Sequence, residues 1–280
     1  MHQAYAKINL GLHITEKRTD GFHNIETVFH LIDLYDEIKF AASKKIEVLT
    51  NNEDAPGGEQ NLAYKAAAQL QKHAGISKGV KITIKKNIPV GAGLGGGSSD
   101  AATVLRELPE FWKCKVTEKD LQRIALSIGS DVPYFLKKGT ALGRGRGEQL
   151  EYFSLRIPFT ILVCNPVIQV STAWAYENCV PTKRATDFKR ILAEGMKTPS
   201  TLVEKLYNDL EPVVFPHHPS IAQIKKAMAD SGALFALMSG SGSTVYGLFA
   251  NPGRAEEVAG TFSKIGLATF ITPPNFSPAD

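Results

Sequence analysis

Apolar and polar residues alternate at the start of the chain, and this alternation predicts a β-strand over residues 4–14. One face of the strand is uniformly apolar and carries Ala4, Ala6, Ile8, Leu10, Leu12 and Ile14. The opposite face places Lys7 and Asn9 side by side. A period of two with one polar face is typical of a strand at the surface of a sheet. We therefore expect a half-buried strand whose polar face meets solvent.

Further apolar runs predict strands over residues 26–32, 37–41, 46–49 and 80–84. Helical periodicity predicts a helix over residues 61–74, with Asn61 as its N-cap and Gly75 as its left-handed end. A second helix is predicted up to residue 128, after a capping sequence that starts at Thr117. Residues 139–148 are rich in glycine and predict a hairpin or turn. Early strands followed by helices indicate an α+β domain.

The second half of the chain has a different order of elements. Strands are predicted over residues 159–164, 234–238, 244–249 and 267–271, and helices near residues 171–176, 201–210, 220–231 and 254–265. If the first three helices are counted as one crossover, the order is β-α-β-β-α-β, which is typical of a ferredoxin-like domain. We therefore predict two domains, 1–155 and 156–280.

Composition narrows the class of protein. The chain has 280 residues, 43% of them apolar and 21% charged, and a net charge of +4, which is ordinary for a globular protein that works in water. The small positive excess does not indicate a nucleic-acid partner, and no apolar run reaches the length of a membrane span. Three widely spaced cysteines form neither a disulfide framework nor a zinc pattern. We expect a cytoplasmic protein with no membrane partner.

The segment from Pro89 to Ala102 carries the strongest chemical signal. Its five glycines lie between a strand-like run and a helix-like run, so that backbone N–H groups and a helix start can face one ligand. This arrangement predicts a phosphate-binding loop. The candidate residues are Pro89, Val90, Gly91, Ala92, Gly93, Leu94, Gly95, Gly96, Gly97, Ser98 and Ser99. The helix is expected to begin near Ser98, with Ser98, Ser99 or Asp100 as its cap.

Other kinds of glycine-rich segment fit less well. The loop is not a P-loop, because no Gly-Lys-Ser or Gly-Lys-Thr follows the glycines. Gly91, Gly93 and Gly96 do match the dinucleotide-binding pattern, but Pro89 interrupts the strand that such a loop requires. A flexible linker is disfavoured by the apolar runs on both sides.

Several other segments have two interpretations when they are taken from the residues alone. Phe22 and His23 follow a turn, where the first is expected in the core and the second as a turn residue. Asp131 suits the N-cap of a short helix that has a proline in its first turn. Lys85 and Lys86 precede the glycine loop and either reach phosphate or lie in solvent. Residues 239–244 read as a flexible connection between two strands.

The loop resembles the nucleotide loop of the galactokinase, homoserine kinase, mevalonate kinase and phosphomevalonate kinase (GHMP) superfamily. Its longer form with three glycines before Ser-Ser resembles one branch, whose substrate is a cytidine diphosphate-linked methylerythritol. Other segments resemble the same branch, in order: Ala6-Lys-Ile-Asn-Leu10, Gly21-Phe-His23, Gly129-Ser-Asp-Val-Pro-Tyr-Phe135, Asn208-Asp-Leu-Glu-Pro212 and Ser239-Gly-Ser-Gly-Ser243. The resemblance extends from Ala6 to the 240s.

This resemblance implies a fold and a reaction. The fold would be a first domain like ribosomal protein S5 domain 2, followed by a ferredoxin-like domain, with the active site between them. The reaction would transfer the γ-phosphoryl group of ATP, with Mg²⁺, to the 2-hydroxyl of the cytidine-linked substrate. Asp131 would accept or orient the hydroxyl proton, and Lys7 would pair with Asp131 and keep it ionised.

The resemblance also implies a cytosine site. Phe22 would stack on the base where the family has tyrosine, and His23 would hydrogen-bond to the edge of the base. Tyr176 would supply a second ring, with Trp174 as a competitor, and Asn9 is assigned to the substrate with them. Ser99 would contact the metal directly or through water, and the direct Mg²⁺ ligands stay open, as do the roles of Arg144 and Arg146 and the oligomeric state.

Three alternatives remain. The first is a GHMP kinase for another alcohol, such as mevalonate or homoserine, although such members lack the extra glycines and the glycine–aromatic–histidine segment. The second is a dinucleotide-dependent oxidoreductase, against which Pro89 and the missing parallel βαβ repeat count. The third is a binding module that has the kinase fold and no activity, against which the presence of Lys7 and Asp131 argues.

Overall fold

The computed structural model describes residues 1–182 and 186–278, and the elements below are those of these ranges. The strands are β1 (His2–Lys17), β2 (His23–Ser43), β3 (Ile46–Thr50), β4 (Gly79–Lys85), β5 (Thr140–Arg144), β6 (Gln149–Phe153), β7 (Thr160–Asn165), β8 (Phe235–Met238), β9 (Val245–Phe249) and β10 (Ala268–Thr272). The α-helices are α1 (Leu62–Ala74), α2 (Gly96–Trp112), α3 (Glu118–Ile128), α4 (Thr172–Glu177), α5 (Phe188–Gly195), α6 (Ser200–Lys205), α7 (Glu211–His217), α8 (Pro219–Asp230) and α9 (Pro252–Lys264). Short 3₁₀ helices cover Gly58–Gln60 and Val132–Leu136. No helix in the described ranges is long and apolar enough to cross a membrane.

The chain forms two compact units that are not consecutive in sequence. The first unit contains residues 1–6, 35–90 and 95–138, and the second contains residues 7–34, 91–94 and 139–280. The long strands β1 and β2, which pair with each other, each pass from one unit into the other. Strands and helices are mixed in both units, so the α+β class is confirmed.

In the first unit, β3 pairs in parallel with β4, and β4 pairs antiparallel with the second half of β2. Helix α1 has the predicted ends: the Asn61 side chain accepts a hydrogen bond from the Ala63 N–H at 2.9 Å, and Gly75 has φ +64°. Helices α1 and α2 and strand β4 each bury apolar side chains, for example Leu70, Leu105 and Ile82. Apolar burial of this kind holds the helices more than their intrinsic propensity does.

The second unit contains a hairpin and a separate sheet. The hairpin of β5 and β6 pairs with the first half of β2, as the glycine-rich stretch 139–148 predicts. The separate sheet is antiparallel with the order β10-β7-β9-β8. Its chain order is one strand, a helical crossover, two strands, one helix and one strand, which confirms the predicted sequence of elements. Apolar residues of α7, α8 and α9 pack on one face of this sheet.

Two predictions about individual elements are wrong, and two helices are missing from the prediction. The strands predicted over residues 26–32 and 37–41 are one strand, β2, which pairs with β5 in its first half and with β4 in its second. Helices α5 and α7 have no counterpart in the prediction. The helix predicted over residues 201–210 ends at Lys205, because the backbone of Tyr207 and Asp209 instead bonds to Leu12 of β1, both at 2.9 Å.

Candidate active site

Lys7 and Asn9 lie in the second unit and are buried, so the expectation of a solvated face on β1 is wrong. Lys7 is 4% exposed and Asn9 is 2% exposed. The Lys7 ammonium donates hydrogen bonds to Asn9 Oδ1 at 2.6 Å and to the Gly93 carbonyl at 3.0 Å. Burial in low-dielectric surroundings strengthens the field of the ammonium. The pair therefore brings a buried positive charge to the middle of the glycine loop.

The orientation of the Asn9 amide is fixed by its neighbours. Its Nδ2 donates to Thr27 Oγ1 at 2.8 Å, and Thr27 donates in turn to the Gly11 carbonyl at 2.6 Å. Its backbone N–H donates to Ser239 Oγ at 3.1 Å. Because Nδ2 is used by Thr27, Oδ1 faces Lys7, and the ammonium is held in one position.

Ser239 starts the turn of residues 239–244, which packs on the glycine loop rather than forming a free connection. Ser239 donates to the Gly93 carbonyl at 3.3 Å, and the Thr244 N–H donates to the Ala92 carbonyl at 3.4 Å. Asn208 supports the turn by donating to the carbonyls of Met238 at 2.8 Å and Gly240 at 2.7 Å. The turn of residues 239–244 is thus an ordered part of the candidate site, held by hydrogen bonds, and its interpretation as a flexible connection is wrong.

Gly93 makes the closest approach to this turn, and replacing it with alanine is expected to lower stability. Gly93 has φ +77°, and an added Cβ would lie 2.5 Å from the Ser239 carbonyl oxygen. The left-handed backbone alone costs about 1–3 kcal/mol for a residue with a Cβ, before the collision is counted. Urea unfolding of Gly93→Ala measures this loss. Gly97→Ala is the matched control for stability, because Gly97 is helical and its Cβ would meet only the Leu62 side chain at 3.6 Å; equal unfolding midpoints for the two variants would contradict the prediction.

The glycine loop leads into an open helix start. Helix α2 begins at Gly96, two residues before the expected Ser98, and its N-cap is Gly95, which is left-handed at φ +72° and has no side chain with which to cap it. Ser98, Ser99 and Asp100 are therefore inside the helix, and their prediction as caps is wrong. The first turn of α2 carries no acidic residue. Its unpaired N–H groups and the positive end of its dipole suit an anionic ligand.

A cluster of three charged side chains, hereafter the Lys86 cluster, lies beside this helix start in the first unit. Lys86 donates hydrogen bonds to Asp36 and to Asp100, the latter at 2.8 Å, and the three side chains are at most 5% exposed. Asp36 Oδ1 also accepts the N–H groups of Asn87 at 2.6 Å and Ile88 at 2.9 Å. The cluster thus joins β2, the entry to the glycine loop and the first turns of α2.

The electrostatics of the Lys86 cluster follow from its burial. Burial would lower the pKa of Lys86, but the charges of Asp100 and Asp36 outweigh it and raise that pKa. Burial raises the pKa of Asp100 to about 7, although the Lys86 charge opposes the shift. Lys86 is therefore not a solvated residue, whereas Lys85 is, since it forms an exposed pair with Glu37 at 2.7 Å. The Asp100 carboxylate faces Lys86, which compensates its negative charge beside the helix start.

Asp131 lies in the first unit at the N-terminus of the 3₁₀ helix Val132–Leu136. It occupies the N-cap position, but its side chain makes no capping hydrogen bond, and Pro133 fills the first turn as the sequence predicts. The carboxylate is half-buried. The N-cap position predicted for Asp131 is therefore confirmed, but its side chain supplies no capping bond to the helix.

The ring residues lie together in the second unit. Phe22 is 49% exposed, so it is not a core residue. His23 is 5% exposed, and its ring centroid lies 5.7 Å from that of Tyr176. Trp174, the competitor of Tyr176, packs instead on His217 at 4.8 Å.

The electrostatic state of His23 suits a hydrogen-bonding role. Its Nε2 is buried and has no partner among the described residues. Burial lowers the pKa of His23, and the Lys17 charge lowers it further, so the imidazole is neutral at pH 7. A neutral ring with an unused nitrogen is suited to a polar ligand edge.

Sequence reasoning missed Asp36 and the partners of Lys7. Asp36 occupies a core position in the alternation Ile32, Leu34, Asp36, Ile38, and an acid in a core register is a signal of a buried charged pair. Thr27 gives no such signal, because its contact with Asn9 depends on the pairing of distant segments. Within the described ranges, no group of three or more His, Cys, Asp or Glu side chains is arranged to hold a metal ion.

Comparison with known proteins places these residues in a family. The model of the GHMP kinases N terminal domain matches residues 61–139, and that of the GHMP kinases C terminal domain matches residues 186–266. A 4-diphosphocytidyl-2-C-methyl-D-erythritol kinase from Prosthecochloris aestuarii is 45% identical over 99% of this chain and 98% of its own length. A protein of the same name from Chlorobium phaeobacteroides (strain BS1) is 46% identical over 98% of this chain and 97% of its own.

Solved structures give a consistent result. A crystal structure of 4-(cytidine 5'-diphospho)-2C-methyl-D-erythritol kinase matches with a TM-score of 0.83 at 33% identity, over 97% of both chains. Homoserine kinase from Cytophaga hutchinsonii matches with a TM-score of 0.68 at 20% identity, over 97% of this chain and 95% of its own. The second likeness is one of fold alone. The first extends over nearly the whole length of both proteins.

Proposed function

The chain belongs to the GHMP kinases and, within them, to the 4-diphosphocytidyl-2-C-methyl-D-erythritol kinases, and from this membership we propose its reaction in detail. It is an ATP-dependent kinase that phosphorylates the 2-hydroxyl of 4-diphosphocytidyl-2-C-methyl-D-erythritol, a step of the non-mevalonate route to isoprenoid precursors. The observation that carries this assignment is the 45% identity over 99% of the chain. The paired rings of His23 and Tyr176 support a base-binding substrate.

The domain assignment follows the family. We keep the boundaries 1–155 and 156–280, the first domain being like ribosomal protein S5 domain 2 and the second ferredoxin-like. The antiparallel order β10-β7-β9-β8 supports the second label, because it is the order of a split β-α-β-β-α-β sheet. The free thiols of Cys114, Cys164 and Cys179 support a cytoplasmic enzyme, since a reducing compartment keeps thiols unpaired.

The residues Pro89 to Ser99 are proposed to bind the phosphates of ATP. The uncapped start of α2 and its lack of acidic residues fit an anion, and Gly95 leaves the helix start uncovered. Mg²⁺, when bound, would offset the negative charge of the phosphates. No group of three or more His, Cys, Asp or Glu side chains in the described ranges is arranged to hold a metal, which fits an ion that keeps several waters, and Ser99 in the first turn of α2 is the proposed protein contact, direct or through water.

Asp131 and Lys7 are the proposed catalytic residues. Asp131 accepts or orients the proton of the attacking hydroxyl, a role that suits a half-buried carboxylate at the start of the 3₁₀ helix. Lys7 is a buried ammonium held by the neutral oxygens of Asn9 and Gly93, and its charge stabilises negative charge that develops during transfer. Phosphoryl transfer needs mainly positioning and electrostatic stabilisation, which these two groups supply.

Phe22, His23, Tyr176 and Asn9 are the proposed substrate residues. The exposed ring of Phe22 offers a face on which cytosine stacks, and the Tyr176 ring beside His23 offers a second. The unused Nε2 of His23 fits the polar edge of the base. Asn9 is proposed as a further substrate contact, and its Oδ1 also accepts the hydrogen bond that holds Lys7.

Removing the Phe22 ring is expected to weaken substrate binding and spare the chemical step. Stacking of a base on an aromatic ring is worth about 1–3 kcal/mol, so Phe22→Ala should raise KM for the cytidine substrate by roughly 5- to 100-fold. Phe22→Tyr, the matched variant, keeps a ring face and should leave KM within about twofold. Steady-state kinetics with both variants make the test, and an unchanged KM for Phe22→Ala would remove Phe22 from the site.

The reaction itself is tested by ADP release with three alcohols. The wild-type protein should turn over ATP with the diphosphocytidyl substrate and not with mevalonate or homoserine. Turnover with one of the other alcohols would keep the nucleotide assignment and discard the cytosine residues. Absence of turnover with all three, in a protein that Mg-ATP stabilises against heat, would indicate a binding module instead.

A further inference from the structure

The exposed ring of Phe22 has a cation on one face. The guanidinium carbon of Arg146 lies 4.5 Å from the centroid of the Phe22 ring. At this distance the cation and the negative face of the ring attract each other. Phe22 is nevertheless 49% exposed, so the guanidinium leaves much of the ring open to another planar group.

The turn that carries Phe22 is fixed by its own hydrogen bonds. Arg18 forms a bidentate pair with Asp20, at 3.1 Å from Nε and 2.8 Å from Nη2, and Asp20 Oδ1 accepts the Phe22 N–H at 3.2 Å. The Arg18 N–H donates to the Phe22 carbonyl at 2.8 Å. These bonds hold the backbone of Phe22, but they do not hold the ring, whose two side-chain torsions remain to be restricted by contacts.

The position of Arg146 is also fixed by backbone contacts. Arg146 lies at the tip of the β5–β6 hairpin, whose Gly145 carbonyl accepts the Ile25 N–H at 2.7 Å, two residues after His23. The Arg146 N–H donates to Glu148 Oε2 at 2.6 Å. Since these bonds use no atom of the Arg146 side chain, the hairpin is expected to keep its shape when that side chain is changed.

A second arginine of the same hairpin differs in its contacts. Arg144 pairs with Glu26 at 3.2 Å and with Glu151 at 3.6 Å, both carboxylates of neighbouring strands. The Arg144 charge is thus paired with carboxylates on the surface of the sheet. Arg144 and Arg146 have the same chemistry and lie two residues apart, and of the two it is Arg146 whose guanidinium lies over the Phe22 ring.

We propose that Arg146 is a positioning residue for the nucleobase: it stacks on one face of Phe22 and holds the ring so that the other face receives the cytosine. This inference rests on the proposed substrate. A guanidinium plane stacks on aromatic faces, and a ring held in its binding conformation loses less freedom when the base arrives. The arginine therefore acts through Phe22, and its effect appears in the affinity for the cytidine part.

The test is calorimetric titration of the full-length protein with cytidine 5′-diphosphate. Arg146→Met should raise Kd by about 3- to 10-fold, because methionine is a long unbranched side chain that has neither the positive charge nor the planar group of arginine. Arg146→Lys should restore part of the affinity, because it restores the cation. Arg144→Met, the matched control, should leave Kd unchanged. In kinetics, Arg146→Met should raise KM for the cytidine substrate by the same factor and leave kcat and KM for ATP within about twofold.

A double-mutant cycle shows whether the effect passes through Phe22. In a Phe22→Ala background, Arg146→Met should change Kd by less than about twofold, because the ring that it positions is gone. An unchanged Kd for Arg146→Met overturns the proposal, and so does an undiminished effect in the Phe22→Ala background, which would mean that the charge acts on the ligand directly.

The outcomes also separate this inference from the proposed reaction. The wild-type protein could bind cytidine 5′-diphosphate, with an affinity that Arg146→Met lowers, and still fail to phosphorylate the diphosphocytidyl substrate. That result would support the role of Arg146 and reject the reaction. Turnover of that substrate with a KM that Arg146→Met does not change would support the reaction and reject the role of Arg146. A wild-type protein that binds no cytidine 5′-diphosphate overturns both.

Discussion

Asp131→Asn is expected to lower kcat by about 100- to 10,000-fold, the usual contribution of a positioned acid or base. The amide has nearly the same shape as the carboxylate but neither accepts a proton nor carries a charge. KM for ATP and for the diphosphocytidyl substrate should change little, because the proposed binding contacts belong to other residues. Single-turnover measurement of phosphoryl transfer under saturating substrates checks the chemical step directly.

Loss of catalysis in Asp131→Asn can be separated from loss of folding by the thermal midpoint and a control variant. The Asp131 side chain makes no capping bond to the following 3₁₀ helix, and asparagine keeps its shape, so the thermal midpoint measured beside kcat shows whether the fold is intact. Glu118→Gln is a suitable control, since Glu118 is an exposed acid of the same unit that pairs with Lys137 at 3.3 Å. A fall in kcat of less than about tenfold with an intact fold would remove Asp131 as the proton acceptor. A large fall that is independent of pH would indicate that the carboxylate orients the hydroxyl instead.

Predictions from the sequence were accurate where local interactions decide the structure. The ends of α1 follow from the Asn61 cap and the left-handed Gly75, both of which act within one turn of the helix. Thr117 likewise caps α3 by accepting the Asp120 N–H at 3.1 Å. In these cases the residues that determine the end of the helix are close together in sequence, so the local sequence is enough to predict it.

Predictions failed where distant segments decide the structure. The alternation in β1 correctly gives a strand, but burial of its second face depends on Thr27 and Ser239, which are 18 and 230 residues away from Asn9. The predicted start of α2 is two residues too late for a related reason. Serine and aspartate suggested a cap, whereas the left-handed Gly95 ends the loop and Asp100 is used by the buried Lys86.

The residues of the candidate site also form two groups, those that a sequence motif predicts and those that have no motif. The family resemblance predicts Lys7, Asp131 and the glycine loop as site residues by motif, because the proposed chemistry restricts which residue types can stand there. The Lys86 cluster has no motif, since any arrangement that joins a cation to two acids under the loop would serve. Asp36 in a core register signals a buried charged pair, but its partners are visible only in the folded protein, in which Asp36, Lys86 and Asp100 come from three different segments.

Lys86→Met is expected to reduce the free energy of unfolding by about 3–5 kcal/mol, the usual cost of removing one partner from a buried ion pair. The change leaves the carboxylates of Asp36 and Asp100 buried without their cation, and both side chains are less than 5% exposed. This cost is a large part of the total stability of a typical domain. Urea unfolding followed by circular dichroism measures it, and Lys85→Met, the neighbouring exposed lysine, should leave the unfolding midpoint unchanged.

The pH dependence of the variant distinguishes loss of charge compensation from loss of packing. Burial already holds the pKa of Asp100 at about 7 in the folded protein, above its usual 3.8, so the stability contributed by this group is full at low pH and is lost as pH rises towards 7. Without Lys86 the folded-state pKa rises further, and the unfolding midpoint of Lys86→Met should increase as pH falls from 8 to 6. Adding Asp100→Asn should recover part of the lost stability and flatten this dependence. A Lys86→Met midpoint equal to that of Lys85→Met at every pH would mean that the Lys86 cluster does not stabilise the fold.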